Sequence, residues 1–212
     1  MGHSFLYKDY LPELQPEQEE KLHRFKSLFL EWNSRINLIS RKDTDSFEVK
    51  HVLHSLAISR FIRFYPGARV LDLGTGGGFP GIPLAILNPQ CRFILVDSIE
   101  KKVKAVHEMI QALSLQNAEA KRSRVEELEV KVDYVVSRAV APMPDLVKWT
   151  RNVLQPGQMG SLPNGWLVLK GGDLKEELQA FGKSVEIQQI SDWFKDPFFE
   201  TKVIVYLARQ IL

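Results

Sequence analysis

The stretch Asp72-Leu73-Gly74-Thr75-Gly76-Gly77-Gly78-Phe79-Pro80-Gly81 separates a short apolar run, Arg69-Val70-Leu71-Asp72-Leu73, from a helix-like segment, Ile82-Pro83-Leu84-Ala85-Ile86-Leu87. Glycines at that junction let the backbone turn tightly and approach a ligand with no side chains in the way. A loop so placed belongs at the carboxyl end of a parallel strand, where open α/β sheets bind ligands. A second apolar run, Arg92-Phe93-Ile94-Leu95-Val96, closes on Asp97, 23 positions after Gly74. A carboxylate there accepts hydrogen bonds from both hydroxyls of a ribose.

Dinucleotide-binding and S-adenosylmethionine-binding sheets share this loop and acid. The dinucleotide fingerprint wants a third glycine at position 79, which is Phe79. The spacing here is instead Gly74-x-Gly76-x-Gly78, and the loop stands behind residues 1–68, whereas dinucleotide folds usually begin with it. Both details favour the adenosyl cofactor. A dinucleotide site and a glycine-rich turn that binds nothing remain the alternatives.

Upstream, the chain reads as helical. Pro16-Glu17-Gln18-Glu19-Glu20 suits a helix start. Leu22, Phe25, Leu28, Phe29 and Trp32 then form one apolar stripe, read as core rather than as a base-stacking platform. A break is expected over residues 33–45. A second helix is expected from about residue 44, with Val49, Val52, Leu53, Leu56 and Phe61 on its buried side and Pro66-Gly67 at its end. Downstream, residues 100–115 carry Val103, Val106, Ile110 and Leu113 at helical spacing. Short strands are expected at residues 133–136, 166–169, 185–187 and 203–207. Strands alternating with helices predict an α/β fold with a mostly parallel sheet covered on both faces. Helices thin out after Phe181, so the last two strands are expected to pair antiparallel at the sheet edge. The expected organisation is a helical extension over residues 1–66 and one compact unit over 67–212.

The 212 residues are 44% hydrophobic and 25% charged, as in an ordinary globular protein. With 28 Lys+Arg against 26 Asp+Glu the formal net charge is +2, which excludes a polycation or an acidic disordered chain. A local basic face on a nearly neutral protein stays possible. The single cysteine, Cys91, permits no internal disulfide and no thiolate-based zinc site. It opens the second strand, opposite the ligand end, and reads as a packing residue. Residues 1–8 show neither a secretory signal nor, with Leu6 where Ser or Thr is needed, a myristoylation signal. No apolar run is long enough to span a membrane. A reduced, cytoplasmic protein is expected. His51 and His54 could share a helix face, but a third ligand with suitable spacing is missing. No metal is expected, and both read as satisfied helix histidines. The aromatic cluster Trp193, Phe194, Phe198 and Phe199 reads either as edge packing or as an exposed contact.

Asn37-Leu38-Ile39, His51-Val52-Leu53-His54-Ser55, residues 72–83, Asp97-Ser98, Ser123-Arg124-Val125-Glu126-Glu127, Ser137-Arg138-Ala139 and Leu169-Lys170-Gly171 occur in that order. Together they resemble the bacterial small-subunit rRNA guanine-N7 methyltransferases, the glucose-inhibited division protein B family, over roughly residues 22–208. The chain departs from that family at His54, where an aspartate is usual, and residues 158–165 read as a divergent loop. The resemblance implies a class I S-adenosylmethionine-dependent methyltransferase, a Rossmann-like seven-stranded sheet with helices on both faces and an N-terminal helical extension. It implies methyl transfer to N7 of a guanine in 16S ribosomal RNA, free or in the small ribosomal subunit; the sequence does not give the oligomeric state, and a monomer is favoured. It implies that Gly74, Thr75, Gly76 and Phe79 border the cofactor, that Asp97 and Ser98 sit at its ribose, and that Val125 and Glu126 flank its adenine. Arg138, ending the fourth strand, would stand near both methyl donor and target base.

The residues agree with that chemistry. Guanine N7 is already an exposed sp² lone pair, so methyl transfer needs neither general base nor nucleophile. Amino-group methyltransferases carry an acid or Asn before Pro-Pro and an aromatic after the fourth strand; here Ser137-Arg138-Ala139-Val140-Ala141-Pro142 stands there. Arg138 reads either as a donor to guanine, phosphate or cofactor carboxylate, or as a salt-bridge partner. Among candidate cations (Arg41-Lys42, Lys101-Lys102-Lys104, Lys121-Arg122-Arg124 and Lys170), Lys101, Arg124 and Lys170 share the ligand edge and are expected to meet phosphate. Lys102 and Lys104 read as a solvated face. A small-molecule methyltransferase and a non-catalytic cofactor-binding module are the alternative functions.

Overall fold

The computed structural model describes residues 7–138 and 140–209, without the side chains of Arg41 and Val125. The signal readings at residues 1–6, Ala139 and the Val125 side chain therefore lie outside the described residues.

Helix α1 (Pro16–Ile36) starts on a proline, with Gln18 Oε1 accepting from the Gln15 N–H at 3.0 Å. It runs past the expected break at Asn33, whose side chain instead caps the following turn by accepting from the Ile39 N–H at 2.8 Å. The helix stops at Asn37, which adopts the left-handed conformation. Three helical types then follow in series: a 3₁₀ segment (Arg41–Ser46), a π-turn (Glu48–Leu53) and α2 (His54–Phe61). The last ends five residues before Pro66, because the chain turns there to bridge Phe64 against Gly160.

From β1 (Arg69–Leu73) the chain alternates: α3 (Gly81–Leu87), β2 (Arg92–Asp97), α4 (Glu100–Ala112), β3 (Ala118–Arg122), β4 (Tyr134–Arg138), α5 (Met143–Thr150), β5 (Gly165–Gly171), α6 (Lys175–Leu178), β6 (Val185–Gln189) and β7 (Lys202–Ala208). The seven strands form one sheet in the order β3-β2-β1-β4-β5-β7-β6. All pairings are parallel except those of β7, which is antiparallel to β5 and to β6. The expected terminal antiparallel pair is present, but β7 joins it to the sheet and β6 is outermost. β3, Ala-Glu-Ala-Lys-Arg, carries too little apolar sequence to announce itself; pairing to β2 makes it a strand.

Alternate strand residues bury on opposite faces. Val70, Leu95, Val136 and Leu167 join a core shared with Leu22, Phe25, Phe29, Met109 and Phe79. Leu71, Ile94, Val135 and Val168 join a second core with Leu146 and Trp166. The helical extension is thus packed into the first core rather than hung from the sheet. Phe25, Phe29, Phe47 and Phe79 meet there with ring centroids 5.0–5.9 Å apart, inside the range for favourable aromatic pairs. The stripe expected as core is core at Phe25 and Phe29, while Trp32 is partly exposed under Arg35. Register places Leu73, Asp97, Arg138 and Lys170 at one edge of the sheet, and Cys91 is buried at the other.

Candidate active site

β1 lies between β2 and β4, so the chain reverses its direction across the sheet there. Crevices outside the carboxyl ends of strands form at such points. A cleft of ≈ 550 Å³ opens here, within the usual range for small-molecule sites. Leu73, Gly74, Asp97, Ser98, Arg124, Glu126 and Arg138 line it. So do Lys102, Ser123, Val140 and Trp149, which sequence reading did not assign to it. Lys102 is one helical position from the expected Lys101, which is exposed on the same first turn of α4.

Two carboxylates shape the loop. Asp97 ends β2; its Oδ2 accepts from the Gly76 N–H at 3.0 Å and its Oδ1 from the Ile99 N–H at 2.9 Å. A carboxylate has about four acceptor sites, so each oxygen keeps one for a ribose hydroxyl. Asp72 is fully buried beneath the loop. Its Oδ2 accepts from the Thr75 hydroxyl at 2.6 Å and the Gly81 N–H at 2.8 Å, while its Oδ1 has no partner within the protein. Burial pushes this carboxyl up to about 7, although Thr75, Gly81 and Arg138 all favour its charge. Gly81 is required by closeness: a Cβ there would lie 2.6 Å from Asp72 Oδ2. Gly74 has φ +67° and presents bare backbone to the cleft, with Val140 against it. Left-handed glycines, a carboxylate with free lone pairs and a cleft of this size fit an adenosyl cofactor.

Several expected contacts are placed differently. Thr75 spends its hydroxyl on Asp72 and is buried. Phe79 does not line the cleft: it points into the aromatic cluster of the helical extension, because that cluster buries its whole ring. Lys170 is not a free cation. Its Nζ pairs with Glu177 at 2.7 Å and donates to the Ala141 carbonyl at 2.6 Å, with the side chain 9% exposed. Glu177 also accepts from the Met143 N–H, so this pair clamps the turn after β4. Arg124 is exposed, as a phosphate contact needs.

Arg138 ends β4 with its guanidinium 4.7 Å above the Phe79 ring, and its Nη1 donates to the Lys50 carbonyl at 3.4 Å. Burial draws it down to about 10 against the pull of Asp72 and Asp43, so it stays cationic at neutral pH. It also borders a second cleft, of ≈ 660 Å³, on the side of the helical extension. His51 and His54 line that cleft and are not the satisfied histidines expected: both ring nitrogens of His51 and Nε2 of His54 are buried without partners in the protein. Burial and the nearby Arg138 hold both imidazoles neutral, His51 down to about 3 and His54 well below its usual range. The aromatic cluster divides between the two expected roles. Phe194 and Phe199 are buried packing, while Phe198 reaches the second cleft. Among the described residues no group of three His, Cys, Asp or Glu side chains is arranged to hold a metal.

The strand order, the glycine loop after β1 and the acid ending β2 define a class I S-adenosylmethionine-dependent methyltransferase. Solved structures agree on the fold. A SAM-dependent methyltransferase from Aquifex aeolicus superposes with TM-score 0.56 at 16% identity, over 79% of this chain and 95% of that one. The T. thermophilus 16S rRNA N2 G1207 methyltransferase, solved with AdoMet and guanosine, superposes with TM-score 0.53 at 19% identity, over 74% of this chain and 42% of that one. The family model for rRNA small subunit methyltransferase G matches residues 18–202. The chain is 46% identical over 202 residues to Ribosomal RNA small subunit methyltransferase G of Christiangramia forsetii, covering 95% of each. It is 47% identical over 197 residues to the protein of that name from Bacteroides thetaiotaomicron, covering 93% of this chain and 96% of the relative. The chain belongs to the rRNA small subunit methyltransferase G family.

Proposed function

We propose that this chain transfers the methyl group of S-adenosylmethionine to N7 of a guanine in 16S ribosomal RNA by direct in-line displacement. The observation that carries the reading is the meeting of two clefts at Arg138, one floored by the glycine loop and one facing the helical extension. The donor supplies an electrophilic methyl on a sulfonium. The chain's part is positioning, because the accepting lone pair needs no activation. Asp97 grips the ribose, with Ser98 beside it. Bare backbone at Gly74 and Gly76 admits the amino-acid end, and Val125 and Glu126 border the adenine. Arg138 orients donor and base where they meet. Lys101, Lys102 and Arg124 hold phosphates, and the Lys170–Glu177 pair fixes the turn behind Arg138. The extension acts as one body with the methyltransferase unit, since described side chains of residues 7–66 share the core of residues 67–209. The protein works as a monomer in the cytoplasm, on ribosomal RNA or the small subunit. Among the described residues no helix is long and apolar enough to cross a membrane.

Labelled donor incubated with small subunits, naked 16S RNA or a metabolite pool tests the reading. Label in RNA that is released as 7-methylguanine is expected; label only in metabolites, or nowhere, overturns it. Asp97→Ala should weaken binding of S-adenosylhomocysteine by about 1–3 kcal/mol in calorimetry, through the lost charged hydrogen bonds. An unchanged affinity removes the ribose contact. RNA affinity should fall with salt by about 0.7 log units per decade for each neutralised phosphate of a single strand. Arg124→Ala should flatten that slope by about one contact, and an unaltered slope takes Arg124 out of the interface.

A further inference from the structure

Resting on that reading, we infer that the second cleft receives the target guanine and that His54 selects it, Nε2 accepting from the N1–H and N2-amine edge of the base. The cleft measures ≈ 660 Å³ and shares Arg138 with the donor cleft, so a base entering it would bring an edge to the methyl donor. N7 lies on the five-membered ring, and the N1–H and N2 amine lie across the purine from it. A base that turns N7 toward Arg138 therefore turns its two donors toward the opposite wall.

His54 supplies that wall with one defined acceptor. Of its two ring nitrogens only Nε2 is buried without a partner in the protein, so a neutral ring with its proton on Nδ1 leaves Nε2 a bare lone pair. The Lys50 carbonyl, four residues before His54, receives Arg138 at 3.4 Å. The π-turn contributes to this: the His54 N–H bonds to the Val49 and His51 carbonyls and leaves Lys50 to other donors. Phe198 and Phe199 hold the imidazole edge-on, with ring centroids 5.5 and 6.2 Å away. His54 is 6% exposed, and a buried lone pair with no partner costs stability unless something arrives to use it.

The acceptor distinguishes the two purines. Both carry N7, so reactivity at that atom does not tell them apart. Guanine offers hydrogens to Nε2; adenine offers its own N1 lone pair, and the two lone pairs repel. A site built to accept a hydrogen bond rejects a ligand that lacks the donor far more strongly than an apolar pocket rejects a change of size. The imidazole is also neutral, which suits a site where the base becomes cationic on methylation.

His54→Met and His54→Gln test this. Methionine is apolar and close in shape to glutamine, whose Oε1 reaches the position of Nε2. With small subunits that lack the modification, His54→Met should lower kcat/KM roughly ten- to a hundredfold. Affinity for S-adenosylhomocysteine should stay within about twofold, and Tm should hold or rise because an unsatisfied nitrogen leaves the core. His54→Gln should restore most of kcat/KM. A His54→Met enzyme as active as the wild type overturns the assignment, and so does a glutamine variant as impaired as the methionine one. Should the methionine variant not fold, the glutamine variant decides alone: kcat/KM near the wild type supports the assignment, and a loss of about tenfold or more overturns it. Failure of the underlying reading looks different: wild-type protein forms no 7-methylguanine, and this inference falls with it.

Discussion

Arg138→Ala is expected to lower kcat/KM for RNA methylation by about two to three orders of magnitude, the usual cost of deleting one preorganised charged donor from an active site. The side chain is preorganised in three ways. Its plane lies over Phe79 at 4.7 Å, its Nη1 meets the Lys50 carbonyl, and the carboxylates of Asp72 and Asp43 flank it. No carboxylate among the described residues comes close enough to pair with it directly, so the fork keeps donors for substrate on both sides. Arg138→Lys should recover little, because an ammonium neither stacks on the ring nor spans two clefts with a planar fork. Kinetics on small subunits, with S-adenosylhomocysteine affinity measured beside them, checks this. An alanine variant within about fivefold of the wild type would return Arg138 to the structural role that its strand-end position also allowed.

Acidification should begin to destabilise the protein well above the pH at which ordinary carboxylates titrate. Three buried groups set the sign. His51, beside Arg138, Lys50 and Asp43, and His54, beside Arg138, Lys202 and His51, have folded pKa values far below the ordinary 6.5. Below 6.5 the unfolded chain takes up protons there that the folded chain refuses, so stability falls as pH falls. Asp72 acts in the opposite sense. Raised from 3.8 to about 7, it binds a proton in the folded state through that window and so loses stability as pH rises. Two imidazoles against one carboxyl leave a net loss of stability as pH falls from about 6 to 4, of at most about 1.4 kcal/mol for each pH unit. Asp43, drawn below the carboxylate range by Lys50 and Ser40, enters only under pH ~4. Urea midpoints across this range give the slope. Replacing both imidazoles, as in His51→Phe with His54→Met, leaves Asp72 alone and should reverse its sign. A double variant that keeps the wild-type slope would show that other groups carry the acid response.

Much of this was readable in one dimension. The glycine loop announces itself because a ligand site of this kind needs bare backbone at fixed short spacing. Asp97 announces itself because it must end the next strand. The stripe of Phe25 and Phe29 follows from helical period, and Cys91 falls at the far edge by counting along β2. Each of these is local: neighbours in sequence impose it. β3 is counted only through the family resemblance and has no strand pattern of its own, because its residues are polar and only pairing with β2 makes them a strand. Lys102, Val140 and Trp149 escaped because their places in the donor cleft depend on how α4, the turn after β4 and α5 dock.

The amino-acid order alone therefore determined the strand–helix alternation, the loop, the ribose acid and the family likeness, since periodicity and short spacing express themselves along the chain. Tertiary structure alone decided what individual side chains do. It turned Phe79 inward onto aromatic rings from the extension, consumed the charge of Lys170 on Glu177, and brought the Lys50 carbonyl to Arg138, 88 positions away. It also left His54 with a lone pair and no partner. The reason is physical: whether a polar atom is satisfied depends on every group that packs against it, and those groups come from distant parts of the chain.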